Sequence, residues 1–187
     1  MRSSAAQAAT NRTRIIGEAA RMFREKGFDG IGVAEIMRRA GLTHGGFYGH
    51  FGSKEELMAL ACRRAVDDML VEWRARIDSA PGDPRASIAE PYLSAEHRDA
   101  AGTGCLMAAL GPEAARAAPP VRRAVTECLG AVLDVIAGEM PAADPGERRR
   151  RAIRMFASLV GALVVARAVD TPDLSDEILE VVLSGLG

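Results

Sequence analysis

The sequence predicts an all-α fold, with a small helical head at the N-terminus and a larger helical body after it. Apolar residues recur at helical spacing over most of the chain, and no segment keeps the alternation of a half-buried strand for more than a few residues. The 187 residues are 48% hydrophobic, which is enough to bury a core. One segment interrupts the pattern: residues 41–57, GLTHGGFYGHFGSKEEL, hold three aromatic side chains, two histidines and a Gly-Gly pair.

The head begins with two amphipathic helices. The apolar stripe of the first consists of Ile15, Ala19, Met22 and Phe23, and Gly27 ends the helix. The stripe of the second, shorter helix consists of Val33, Ile36, Met37 and Ala40, and Gly41 ends it. Residues 1–10 lack the apolar region of a signal peptide and are predicted to form a disordered arm.

A third short helix and a long fourth helix follow. Thr43 is placed to cap the third helix, and Ser53 with Glu56 forms a capping box for the fourth. The fourth helix continues to residue 79, a length of roughly 40 Å, and is expected to connect the head to the body.

Proline marks most helix starts in the body, since it fits the first helical turn without losing a hydrogen bond. These starts are Asp83-Pro84, Pro119-Pro120, Asp144-Pro145 and Thr171-Pro172. A further helix is predicted from about Cys105, broken or bent near Gly111-Pro112. The predicted domains are the arm (1–10), a helix-turn-helix head (11–52) and a body (53–187).

Composition restricts the class of protein. Twelve residues are the longest apolar run, too short to span a bilayer, and three cysteines without a C-x-x-C pair favour a reducing cytoplasm over a disulfide scaffold. Neither a histidine pair at metal spacing nor a glycine-rich phosphate loop is present, so no metal, cofactor or enzymatic activity is expected. Residues 1–60 carry nine Lys/Arg against six acids, while residues 61–187 carry 15 against 19. A basic head favours a polyanionic partner.

The glycine-rich segment completes a helix-turn-helix unit, whose second helix lies in the DNA major groove with its N-terminal residues at base edges. Gly45 and Gly46 let the backbone approach the duplex. The predicted DNA contacts are Thr43, His44, Gly45, Gly46, Tyr48, His50 and Lys54. Arg12 and Arg14 either reach phosphates or are solvated charges, and Phe47 and Phe51 are expected to point into the core.

Residues 27–57 also resemble the DNA-binding domain of the tetracycline-repressor (TetR) family of bacterial transcriptional regulators. The resemblance lies in a Gly-aromatic pair, a second helix that ends in Ala-Gly, and the run Tyr48, His50, Phe51, Lys54 and Leu57. Ile31 and Gly32 stand where the family usually has Ser or Thr, and Ala34 where a polar residue is common. No DNA contact is therefore expected at the start of the second helix.

The resemblance implies a homodimeric repressor that binds a near-palindromic operator, with recognition helices roughly 34–36 Å apart. A small molecule in the body would release the DNA by shifting the population toward a DNA-incompetent state. Residues 102–116 resemble the ligand domain of a subgroup in which some members sense oxidants or electrophiles through a cysteine, here Cys105; plain packing is the alternative for this thiol. An activator of the same fold, an architectural DNA binder and a small helical enzyme are the competing functions.

Two sets of body residues are candidates for function. The ligand candidates are Met69, Trp73, Tyr92, Cys105, Met107 and Phe156, although core packing gives the same spacing. Any pocket is expected to be aliphatic and lined by methionine, and His97 is expected at the surface. The candidates for the dimer interface are Ile153, Phe156, Val160, Leu163, Val164, Ile178, Leu179 and Val182, with closure of the monomer core as the alternative.

Overall fold

The computed structural model describes residues 5–186 and confirms the all-α fold. Its α-helices are α1 (Ala5–Lys26), α2 (Val33–Arg39), α3 (Lys54–Ser79), α4 (Pro84–Tyr92), α5 (Ala95–Asp99), α6 (Leu106–Ala114), α7 (Pro119–Gly138), α8 (Pro145–Ala168) and α9 (Pro172–Ser184). A 3-10 helix, His44–Gly49, lies between α2 and α3.

The head is built from α1, α2 and the 3-10 helix around a small apolar core. Ile15, Phe23, Ile36 and Phe47 are completely or almost completely buried there. Both short connections depend on glycine, because Gly27 (φ 80°) and Gly41 (φ 69°) adopt the left-handed conformation that disfavours other residues. The predicted ends of the first two helices are therefore confirmed.

Helix α3 joins the head to the body and packs against both α1 and α7. At its start the Ser53 hydroxyl accepts a hydrogen bond from the Glu56 N–H at 3.2 Å. The Glu56 carboxylate accepts from the Gly52 N–H at 2.7 Å instead of closing the predicted box on Ser53. Helices α7, α8 and α9 pack in sequence, and α6 lies against both α1 and α8. The core is continuous from the head into the body.

Several elements differ from the predictions. Residues 5–10 of the predicted arm are helical, because this alanine-rich stretch extends α1; residues 1–4 lie outside the described part. The third helix is a 3-10 helix, since its glycines disfavour the α-helix, and Thr43 makes no capping bond with its side chain. Helix α5 has no counterpart among the predicted helices, and α6 continues through Pro112 without the predicted interruption.

Across residues 5–186, the helices are either too short or too polar to traverse a lipid bilayer.

Candidate DNA-contacting surface and ligand cleft

The 3-10 helix has an inner and an outer face. Phe47 and Phe51 are buried, with ring centroids 5.4 Å apart, as predicted for core residues. Tyr48 is 76% exposed, and Thr43, His44, Gly45 and Gly46 are also exposed. Two buried rings therefore fix a short segment whose outer face offers a hydroxyl, an imidazole, a phenol and bare backbone.

Lys54, predicted to contact DNA, and Arg12, predicted either to reach phosphate or to be a solvated charge, have partners within the protein. Arg12 donates to the His50 carbonyl and to Glu56 Oε1 at 2.9 Å, and its guanidinium lies 4.5 Å from the Phe51 ring centroid. Lys54 Nζ donates to the Phe28 carbonyl at 2.6 Å. These long-range bonds hold the 3-10 helix and the start of α3 against α1, a structural role that the local sequence did not reveal.

The remaining predicted contacts differ in exposure. Arg14 is exposed on α1 and donates to Asn11 Oδ1 at 3.1 Å, on the side of the helix near Gly41. His50 is half-buried beside Phe51. The outward groups of the head are thus His44, Tyr48 and Arg14, with Lys54 at the edge.

A cleft of about 500 Å³ lies in the body, between α3, the α4–α5 region and the loop before α6. Met69, Trp73, Tyr92 and Cys105 line it, as the sequence led us to expect. Met107 and Phe156 do not; they border a separate void of about 10 Å³, which is too small for more than a water molecule. The structure thus brings together four of the six ligand candidates.

The cleft is more polar than predicted. Besides its apolar wall it is lined by Arg24, Asp68, Glu72, Arg76, Glu96 and His97. Arg24 comes from α1 and so brings the head into the cleft. Sequence reasoning missed it because nothing in the α1 stripe indicates which distant residues its polar side chains meet.

His97 is half-buried in the cleft wall, not at the surface as expected. Its Nδ1 lies 2.7 Å from the Tyr92 carbonyl, and its Nε2 accepts from the Cys105 N–H at 3.0 Å. Burial lowers the pKa of His97, and the bond to the Tyr92 carbonyl opposes this shift. The neutral ring, with its proton on Nδ1, satisfies both bonds. A Cβ at Gly104 would lie 2.7 Å from His97 Nε2, so only glycine leaves room for the imidazole here. Gly104 was therefore the one feature of the sequence that could have indicated a buried His97.

The three cysteines are buried and unpaired by disulfides. Burial raises the pKa of Cys62 to about 12 and that of Cys128 to about 11, so both are inert thiols in the core. Cys105 is 2% exposed at the N-cap of α6. It lacks the exposure expected of a sensor thiol in this conformation, although it borders both cavities.

The predicted dimer residues divide into two groups. Phe156, Leu163 and Leu179 are 5%, 0% and 3% exposed, so they pack inside the monomer core, which was the alternative for this set. Ile153 and Val164 are exposed, and Val160, Ile178 and Val182 are half-buried. Helices α8 and α9 carry apolar residues on both a buried and an exposed face. The predicted interface set therefore combined core residues with exposed ones.

Further apolar residues lie exposed on these two helices. Val165, Leu174 and Val181 are 49%, 44% and 62% exposed. Together with Ile153 and Val164 they form what we call the α8–α9 face. Gly161 precedes Val164 and Val165 by three and four residues and so neighbours them on α8; a Cβ there would meet nothing within 4 Å, so a second helix can approach closely.

Comparisons with known proteins agree with this architecture. Residues 15–61 match the model of the bacterial regulatory proteins of the tetR family. The chain is 30% identical over 86 residues to the uncharacterized HTH-type transcriptional regulator YerO of Bacillus subtilis, which covers 46% of this chain and 30% of YerO. It is 35% identical over 75 residues to the HTH-type transcriptional repressor KstR2 of Mycobacterium tuberculosis, which covers 40% of this chain and 38% of KstR2. The matches thus span about a third of these relatives' length.

Solved structures match over nearly the whole chain. The reduced form of Escherichia coli NemR superposes with a TM-score of 0.78 at 20% identity and covers 95% of both chains. A TetR transcriptional regulator from Chloroflexus aurantiacus gives 0.78 at 22% identity, covering 96% of this chain and 93% of that one. The head sequence and the shared fold agree: residues 15–61 match the tetR family of bacterial regulatory proteins, and nearly the whole chain has the fold of solved TetR-family regulators.

Proposed function

We propose that the protein is a transcriptional repressor that binds a near-palindromic DNA operator as a homodimer and is released by a small molecule in the body. The observation that carries this proposal is the outer face of the 3-10 helix. His44 and Tyr48 project from it while Phe47 and Phe51 anchor it from below. A rigid backbone with outward polar groups, rich in glycine, suits insertion into a major groove.

The α8–α9 face supports dimerisation. Five large apolar side chains lie exposed there, on two helices that pack against each other, and Gly161 permits close helix packing. An apolar patch of this kind is unfavourable in water and is typical of an interaction site. Pairing of α8 and α9 with the same helices of a second copy, around a two-fold axis, would bury it. The same pairing sets the distance between the two heads.

Hydrogen bonds to the Phe28 backbone connect the cleft to the head. Glu113 on α6 accepts from the Phe28 N–H at 2.6 Å, and Lys54 donates to the Phe28 carbonyl. The N-terminus of α6 lies at Cys105 in the cleft wall. A ligand that displaces the loop before α6 would therefore move Glu113 and, with it, the α1–α2 corner of the head. Such a ligand releases DNA only if it favours the displaced state.

Fluorescence anisotropy with a labelled duplex from upstream of the protein's own gene tests the proposal. Wild type is expected to bind specifically at nanomolar concentration and to weaken steeply with salt. His44→Ala is expected to lose affinity for the operator but not for a scrambled duplex. Thr126→Ala, an exposed change on α7 outside the head and the cleft, is the control. Equal affinity of wild type for both duplexes would contradict an operator-specific regulator.

In vitro transcription from the same promoter separates a repressor from an activator. A repressor lowers the transcript yield when it occupies the operator, whereas an activator raises it. Sedimentation velocity of the free protein tests for the homodimer. A monomer at micromolar concentration would contradict the proposal, because a near-palindromic operator requires two heads held at a fixed distance.

A second route of release is the alkylation or oxidation of Cys105, favoured by its position at the wall of both cavities. In alkylation, the Cys105 sulfur adds to the electron-poor carbon of a quinone, and the thiol proton passes to the quinone. Cys105→Ser is expected to resist loss of DNA binding after quinone treatment, while Cys128→Ser remains sensitive. If wild type and Cys105→Ser respond alike to a quinone and to a mild oxidant, this route is excluded.

A further inference from the structure

Two buried side-chain donors in residues 5–186 lack a hydrogen-bond partner, and both belong to residues that line the cleft. They are Arg24 Nη1, on α1, and Tyr92 Oη, at the end of α4. Buried polar groups in folded proteins are nearly always paired, so each unpaired one calls for an explanation. Two such donors at one cavity indicate that its ligand supplies the acceptors.

Arg24 is a largely buried cation without a counterion in the described part of the chain. Its Nε and Nη2 both donate to the Gly102 carbonyl, at 2.9 and 2.5 Å, which leaves Nη1 unpaired. Asp68 and Glu25 favour its charge from nearby, but Asp68 pairs with Arg64 and Glu25 with Arg21. Burying a charged guanidinium without a counterion costs free energy, and a bound anion would offset that cost.

Tyr92 is 3% exposed, and its hydroxyl is a donor without an acceptor. Burial raises the pKa of Tyr92, so the hydroxyl keeps its proton at neutral pH. The Cys105 thiol next to it is at most a weak partner. His97 offers no acceptor either, because its two nitrogens are occupied by the Tyr92 carbonyl and the Cys105 N–H.

The rest of the cleft separates an apolar wall from a charged rim. Trp73 is buried and Met69 half-buried, and both line the cleft beside Tyr92. At the rim, Asp68 and Glu72 are exposed, and they pair with Arg64 and Arg76. The carboxylates of Asp68 and Glu72 would repel a dianionic phosphate, and two unpaired donors are too few to compensate for its charge. The two oxygens of a carboxylate, by contrast, match the two donors, Arg24 Nη1 and Tyr92 Oη.

We propose that the cleft binds an amphipathic monocarboxylate, whose carboxylate accepts hydrogen bonds from Arg24 and Tyr92 while its apolar body packs against Trp73 and Met69. This inference rests on the proposed function, since it names the chemical class of the releasing ligand. Because Arg24 belongs to α1, the bound acid contacts the DNA-binding head and the body at the same time. It binds the same guanidinium that joins them through the Gly102 carbonyl.

Trp73 is the single tryptophan of the chain and therefore reports on the cleft directly. Its fluorescence is to be titrated with octanoate and 4-phenylbutanoate, and with the primary amides of both acids. The acids are expected to give a saturable change and to bind at least tenfold more tightly than their amides, because an amide keeps the shape but lacks the charge that Arg24 recognises.

Two variants and a control locate the effect. Arg24→Gln is expected to weaken the acids about ten- to a hundredfold, the range for a lost charge-assisted hydrogen bond, and to abolish the preference over the amides. Tyr92→Phe, which keeps the ring, is expected to weaken the acids by a factor of about three to ten and provides a test if Arg24→Gln fails to fold. Arg74→Gln removes an exposed charge from α3 outside the cleft and is expected to bind the acids as wild type does.

Three outcomes would overturn the inference: amides that bind as tightly as the acids, wild-type acid affinity in Tyr92→Phe and in any folded Arg24→Gln, or no saturable change with either acid at millimolar concentration. The operator affinity of wild type without any acid is measured in parallel. If that affinity is specific and nanomolar, the proposed function stands while the carboxylate assignment fails. If it is not, the regulatory function itself is wrong.

Discussion

Lys54→Met is the most informative change in the head, because Lys54 can serve two functions with one ammonium group. One N–H is donated to the Phe28 carbonyl at 2.6 Å. An ammonium has three N–H groups, so two remain for a phosphate. Lys54 is also the first residue of α3, where the positive end of the helix dipole favours an anion. The variant should therefore lose stability and DNA affinity together.

The two losses have separate magnitudes. Removing a charge-assisted bond at a half-buried site is expected to lower the free energy of unfolding by about 1–2 kcal/mol, after allowance for solvent screening. Each phosphate contact contributes about 0.9 to the slope of log K against log salt concentration. A dimer would use two Lys54 residues, so the slope is expected to flatten by about 1.8.

Anisotropy titrations from roughly 50 to 300 mM salt give the slope, and urea denaturation gives the stability. The chain has two lysines, so Lys26→Met is a matched control: it removes the same charge from an exposed position at the end of α1. We expect Lys26→Met to keep the wild-type slope. If Lys54→Met also keeps that slope while it loses stability, Lys54 is a structural residue and its assignment to phosphate is wrong.

Three further predictions follow from the burial pattern. Val181→Glu on the α8–α9 face is expected to shift sedimentation toward monomer, whereas Val71→Glu, equally exposed but on α3, is not; a dimer in both variants would reject this interface. Phe47→Ala is expected to lose about 3–5 kcal/mol of stability in urea, because the ring is 1% exposed, while Tyr48→Ala changes stability by less than about 0.5 kcal/mol and weakens DNA binding. Similar stability losses in the two would contradict the assigned faces. The pKa of His97 is lowered in the folded state, so as the pH falls the unfolded chain takes up this proton first; the contribution of neutral His97 to stability is complete above about pH 6.5 and is lost as the pH falls through the lower folded value. In urea denaturation, His97→Gln is therefore expected to lose less stability between about pH 7 and pH 5 than wild type or the exposed control His44→Gln. An equal loss of stability in His97→Gln and wild type would refute this.

The sequence by itself determined the local features of the fold. Gly27 and Gly41 end their helices, because they adopt a backbone conformation that other residues avoid. Ser53 caps α3 through a neighbour three residues away, and helical spacing alone placed Phe47 and Phe51 on the buried face. Each of these features depends on residues within about one or two helical turns, and the glycine-rich segment that they frame was enough to predict the head.

Only the tertiary structure decided which distant groups meet. Arg24 lies 78 positions from the Gly102 carbonyl that it contacts, and Lys54 lies 26 positions from its acceptor, Phe28. The two apolar faces of α8 look alike in sequence, yet Leu163 is buried in the monomer core while Val165 is half exposed. Local periodicity states that a face is apolar, whereas the packing of the whole chain decides what covers it and which polar groups are left for a ligand.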